Sequence, residues 1–418
     1  MGDRLHVLVH GTLDAGVCDF LRVGTFVEPL AALGVEVRAW SSFADDALNG
    51  GQPSPGGDAA AGGARRDEAG ALLSSLGLTA LAWADVVVFR RWHATVLACS
   101  SCGAPVASLD ALAGHLATTG HLSLTPDLTL EPLVALLEAH PELLDGRGVL
   151  YETDDDVLDV PDWTGLGRSA RAEANLIRRT IALADLVTVS TPVLAERLTP
   201  HARGEVRVVR NAVDPAWYWS DPHPVEDDGT LPIVYHGAPV RLRDYAVAQP
   251  AIDALAAARP AVRRVWLGAG HDRTVAGLVD EALPWVEGAA AFGGALAAAR
   301  PGIGVAPLLD EPFNRAKSEL HWIEYALAGA PCVVTGFAGP GPFDIVRDGL
   351  DALVATTPED WHRHLAALAD SPELRARIAG AARERVLRES TLDAKAPEWA
   401  QAYREAASLG RGRRCPTA

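Results

Sequence analysis

The chain has 418 residues, 49% of them hydrophobic, and a formal net charge of −17. The length allows two separately cored domains, whereas the acidic balance excludes broad binding to nucleic acid or to an anionic membrane surface, since both need clustered lysine and arginine. Five cysteines are too few for a disulfide framework, no run reaches the ~18 apolar residues of a membrane-crossing helix, and the first residues lack the features of a secretory signal, so a cytoplasmic protein without a transmembrane segment is expected.

In chain order, "LHVLVHG" (5–11) reads as a strand closed by a glycine turn, with Gly11 and Thr12 in the loop that follows. A helix and second strand follow in "FVEPLAALGVEVRAW", and then a Gly/Pro/Ala-rich stretch without a period reads as surface loop. "ADVVVFRRW", "GVLYETDDD", "ADLVTVSTPVLAERL" and "EVRVVRNAVDP" continue the alternation of apolar strands with helices. The Pro- and Asp-rich stretch 217–231 breaks the pattern, which restarts at "PIVYHGAP" and runs to the helices after "DWHRHL". Short apolar strands alternating with helices predict parallel sheets covered on both faces. The expected class is therefore α/β: two Rossmann-like domains facing a central cleft, over 1–216 and 231–390, followed by a helix and tail over 391–418. Ligands of such sheets bind beyond the carboxyl ends of the strands, which makes the cleft the expected site.

Between the strands at 85–90 and 148–151 lies "CSSCGAPVASLDALAGHLATTGH" (99–121). Cys99, Cys102, His115 and His121 stand at intervals of two, twelve and five residues, the spacing of a two-Cys, two-His structural zinc site. From Ala94 to Gly146 there is no lysine or arginine, so this zinc module has no cations for a phosphate backbone. Its expected role is a structural staple or a platform for a peptide or protein acceptor.

The densest group of signals is "GVAPLLDEPFNRAKSELHWIEYALAGAPCVVTGFAGPGPFDIVRDGLDALV" (304–354). Its order of "DEPFN", "EYALAGAP", "CVVT" and "IVRDGLDALV" resembles the two-domain GT-B nucleotide-sugar glycosyltransferases, in particular the retaining, family 4-like branch. The resemblance is strongest from Ile233 to Arg388 and looser through "ADLVTVSTPVLAERL" and "VVRNAVD". It implies sugar transfer from a nucleoside diphosphate donor, with Glu324 holding the donor ribose and Arg241 placing a cation on the diphosphate. Gly11 and Thr12 would approach the donor, and the loop residues Glu311, Phe313 and Asn314 would border it.

The residues themselves supply a physical reason. A departing diphosphate needs cations and free N–H groups aimed at it. Only two of the 37 basic side chains are lysine, and one of them, Lys317, stands with Ser318 at the expected start of the helix "KSELHWIEYALAG". No catalytic metal is expected to be required. The family's paired acids are usually seven residues apart; Glu311 and Glu319 keep that spacing, yet Glu324 stands before the Gly329-Ala330-Pro331 stop, and counting back from it reaches Ala316. Asp154, Asp155 and Asp156 follow a strand and face the expected cleft, where one of them orients an acceptor hydroxyl or takes its proton; helix capping and solvated charge are the competing account. Two rival readings remain open: a nucleotide-sugar epimerase of the same architecture, and a non-catalytic zinc-bearing adaptor.

Overall fold

The computed structural model describes residues 4–10, 22–39, 80–90, 97–98, 105–106, 134, 137–138, 141–218, 229–269 and 273–413. Gly11, Thr12, Cys99, Cys102, His115 and His121 lie outside the described residues.

The first sheet contains β1 (Leu5–Val9), β2 (Val35–Ala39), β3 (Val86–Arg90), β6 (Gly148–Thr153), β7 (Leu186–Val189) and β8 (Glu205–Val208), ordered β2-β1-β3-β6-β7-β8 and parallel at every pairing. The short strands β4 (Leu97–Ala98) and β5 (Pro105–Val106) pair antiparallel outside it. The second sheet contains β9 (Leu231–His236), β10 (Val262–Leu267), β11 (Glu281–Leu283), β12 (Ile303–Ala306), β13 (Cys332–Thr335) and β14 (Leu353–Ala355). Its order, β11-β10-β9-β12-β13-β14, again with every pairing parallel, is that of a dinucleotide-binding sheet. Central strands such as β3, β6 and β13 are buried along their whole length, as continuous apolar runs covered on both faces must be.

The covering helices are α1 (Val27–Ala32), α2 (Gly167–Leu183), α3 (Pro192–Leu198), α4 (Leu242–Ala258), α5 (Ala289–Ala298), α6 (Pro312–Arg315), α7 (Leu320–Leu327), α8 (Pro358–Asp370), α9 (Pro372–Glu389) and α10 (Leu392–Gly412). Local chemistry sets several of their starts. In α3, α8 and α9 a hydroxyl cap (Thr191, Thr357, Ser371) precedes a first-turn proline, which has no N–H to leave unpaired. Among the described residues, no helix is long and apolar enough to cross a membrane.

The last helix returns to the first sheet. Trp399, Tyr403, Ala406 and Ala407 on α10 share a core with Val7, Val86 and Leu150. Contact is close enough that a Cβ on Gly148 would lie 2.1 Å from the Ala406 carbonyl oxygen. The chain thus crosses between the two sheets twice, and the crossings touch: the Val213 N–H donates to the Ser390 carbonyl at 3.1 Å, beside a parallel bridge between Val213 and Thr391.

Candidate functional site

In the second sheet the strand order reverses between β9 and β12, and the crevice beyond their carboxyl ends is where such sheets bind ligands. β9 ends in His236 and is followed by Gly237, whose φ of 146° favours glycine, then by a turn at Pro239–Arg241 and by α4. Arg241 stands at the N-cap of α4, so its guanidinium sits at the amino end of a 17-residue helix that runs on from the Pro239–Arg241 turn.

Asp244, buried in the first turn of α4, fixes this arrangement. Its Oδ1 accepts from the Leu309 N–H at 2.9 Å and from Asn314 Nδ2 at 2.7 Å, and its Oδ2 accepts from Arg241 Nη1 at 3.2 Å. Arg241 Nη1 also donates to Asn314 Oδ1 at 3.2 Å. The guanidinium lies 5.2 Å from the ring centre of Trp163 and 5.8 Å from that of Phe313, so the first domain supplies one wall of its slot.

The segment Glu311–Glu319 departs from expectation. Lys317 and Ser318 do not begin a helix: α6 ends at Arg315, and α7 starts at Leu320 behind Glu319. The buried Glu319 occupies the front of α7, its carboxylate accepting from Arg210 Nη1 at 3.0 Å; burial raises its pKa against the opposing pull of Arg210. The front of α7 therefore holds a protein carboxylate where an anion was expected, and the cation-bearing helix end is that of α4, with Arg241 at its N-cap. The reason is local: Ala316 and Lys317 bond back to Phe313 and Asn314 as a turn, which delays the next helix by three residues.

The same segment is clasped by the first domain. Thr191 Oγ1 donates to the Ala316 carbonyl at 3.0 Å, Asn211 Nδ2 to Ser318 Oγ at 2.8 Å, and Trp163 Nε1 to Glu311 Oε2 at 3.3 Å. Lys317 Nζ donates to Asp155 Oδ1 at 2.5 Å and lies 4.5 Å from the centre of the Phe313 ring. The lysine thus faces the gap between the domains, one residue's reach from Arg241 through the shared Phe313 ring. The three aspartates diverge: Asp155 meets Lys317, Asp156 pairs with Arg197 of α3, and Asp154 accepts from Ser190 Oγ through its backbone carbonyl.

Glu324 lies on the buried face of α7 with its Oε2 3.3 Å from His236 Nε2. His321, one turn earlier on the same helix, has its ring centre 4.0 Å from that of His236, the two planes tilted at 52°. Burial pushes the Glu324 carboxyl up to about 8. Burial, with Arg241 and Lys317 adding, pushes His321 down to about 3, and burial followed by His321 holds His236 well below its usual value. Sequence reading passed over His236, His321, Asp244, Trp163 and Asn211. Only the first had a local signal, the strand-ending "YHG"; the others acquire their role from partners more than 60 residues away.

The arrangement offers a guanidinium, an ammonium and the amino end of α4 around one gap, with the buried Glu324 carboxyl on α7. Residues 243–401 match the family described as glycosyl transferase-like. No curated protein sequence matches the chain. Among solved structures it is similar to sucrose-phosphate synthase from Thermosynechococcus elongatus, at 15% identity and a TM-score of 0.58, over 97% of this chain and 99% of that one. It is also similar to HepE of Anabaena in complex with UDP and glucose (15% identity, TM-score 0.56, 96% and 100% covered). A third likeness is to a glycosyltransferase from Rickettsia africae (12% identity, TM-score 0.53, 97% and 99% covered). These likenesses show the GT-B fold.

Proposed function

We propose that the protein transfers a sugar from a nucleoside diphosphate sugar to an acceptor with retention of anomeric configuration. The observation that carries this reading is the pair of cations, Arg241 and Lys317, at 5.8 and 4.5 Å from the centre of one Phe313 ring. A leaving diphosphate at the start of α4 meets the helix dipole and both cations, which stabilise charge as the glycosidic bond breaks. Glu324 accepts from the ribose hydroxyls, Glu311, Phe313, Asn314 and Ser318 border the donor, and Gly11 and Thr12 close over it from the first domain. Asp155, already bonded to Lys317, couples the cation to the acceptor side, where Asp154 is the nearest further acid in sequence. Asp156 is committed to Arg197, which favours a structural role for it.

UDP is the favoured nucleotide because HepE, of like fold, was solved with UDP and glucose. Retention rests on the motif resemblance over 304–354. We further propose that Cys99, Cys102, His115 and His121 hold a structural zinc ion, with the thiols kept reduced in the cytoplasm. The antiparallel pairing of Leu97–Ala98 with Pro105–Val106, which brackets both cysteines, supports that reading.

The test is UDP release from UDP-glucose with a panel of acceptors, and the anomeric configuration of the product by NMR. Lys317→Ala is expected to cut turnover at least about a hundredfold with the circular dichroism spectrum kept. Unchanged turnover removes Lys317 from the site. Formation of a new nucleotide sugar without free UDP identifies an epimerase instead, and failure to bind any nucleoside diphosphate identifies the adaptor.

A further inference from the structure

We propose that His236, His321 and Glu324 form a binding site for one divalent cation of the zinc or cobalt class at the carboxyl end of β9. Two imidazoles and one carboxylate are a donor set such ions favour, and it leaves a coordination position open. One ligand atom from each residue lies within 4.8 Å of the other two. The His236 Nε2 to Glu324 Oε2 separation of 3.3 Å equals the edge of a tetrahedron with metal–ligand bonds of about 2.0 Å, roughly 3.3 Å.

Both of these atoms are buried, and neither has a hydrogen-bond partner. Native interiors rarely leave such atoms unpaired, and an ion between them would satisfy both at once. The ligands stand on rigid elements, a strand end and one face of α7, where His321 and Glu324 are three residues apart. The Phe292 and Tyr325 rings enclose His236 at 5.2 and 5.0 Å and limit water. The field of Arg241 and Lys317 opposes a second cation, and their pairing with Asp244 and Asp155 offsets it.

The carboxylate of this cluster is also the one assigned to the donor ribose. The ion and the nucleotide therefore exclude one another, which makes the donor pocket responsive to free metal. This second step rests on the proposed donor reading; the site itself does not.

The test is equilibrium dialysis of the full chain carrying Cys99→Ser and Cys102→Ser against cobalt chloride, with the metal counted by mass spectrometry and the visible spectrum recorded. One cobalt per chain is expected, with the strong visible bands of a four-coordinate ion, and His321→Ala in the same background is expected to lose it. Should the double serine variant fail to fold, the intact chain is compared with its His321→Ala form, and a difference of one metal per chain is expected. No cobalt, or cobalt retained by the His321→Ala variant, overturns the site. Cobalt retained at saturating UDP overturns the exclusion. UDP that fails to bind the metal-free chain counts against the donor reading and leaves the metal count standing.

Discussion

Replacing Asp244 tests whether the crevice is held in place from behind. Its carboxylate serves a backbone N–H, an amide and a guanidinium, at 2.9, 2.7 and 3.2 Å. Asp244→Ala leaves the Leu309 N–H without its acceptor and the fully buried Asn314 amide nitrogen with only its bond to the Leu309 carbonyl at 3.0 Å, while Arg241 is exposed enough to find water. Hydrogen bonds to a charged group contribute about 1.5–3 kcal/mol each, so losing two amounts to about 4 kcal/mol. That is a large share of the ~5–15 kcal/mol typical of a folded domain. Asp244→Asn keeps one oxygen for Leu309 and Asn314 and presents an NH2 to Arg241. Its expected cost is under about 2 kcal/mol, with Arg241 displaced and UDP bound about tenfold more weakly, equivalent to about 1.4 kcal/mol. Urea unfolding followed by fluorescence, with calorimetric titration of UDP, measures both. An alanine variant within about 1 kcal/mol of the parent would refute the role given to this carboxylate.

Three further outcomes follow from separate parts of the molecule. Gly148→Ala places a methyl against the Ala406 carbonyl, where backbone on both sides must move, so a loss of about 3 kcal/mol is expected in the same unfolding experiment. The Asp360 carboxylate accepts from the Thr356 hydroxyl and from the N–H groups of Thr356 and Thr357, which hold it well below the usual carboxylate range. A folded value below the unfolded one gives stability that is fully present above roughly pH 4 and is lost as pH falls toward the folded value; Asp360→Asn should flatten that acid decline, and an unchanged slope would contradict it. On the proposed zinc reading of Cys99, Cys102, His115 and His121, a strong chelator should lower the melting temperature of the intact chain by more than that of the Cys99→Ser, Cys102→Ser form, as read by differential scanning calorimetry.

Much of the fold was legible because buried parallel strands are apolar runs, as in "DVVVF" and "CVVT", and because several helix starts carry a hydroxyl cap, as at Thr191, Thr357 and Ser371. The candidate carboxyl-terminal site had a local signal at one residue: Glu324 precedes a Gly-x-Pro stop, and both sit within one helix and turn. What escaped depends on distant partners. Nothing within "NRAKSEL" reports that Ala316 is held by Thr191, or that Arg210 draws Glu319 onto the front of α7. Likewise the spacing of Ala396, Trp399, Ala400, Tyr403 and Ala407 announces an apolar helix face but not which sheet receives it.

The contact between the chain's outward and return passages, at Val213 and Ser390–Thr391, has a mechanical consequence. Two halves tied at neighbouring points can swing like a door on paired pins but cannot slide or twist freely. A swing about that point pulls on the far side of the gap, where Lys317 meets Asp155, Arg210 meets Glu319, and Trp163, Thr191 and Asn211 reach Glu311, Ala316 and Ser318, while the backbone near Val213 moves least.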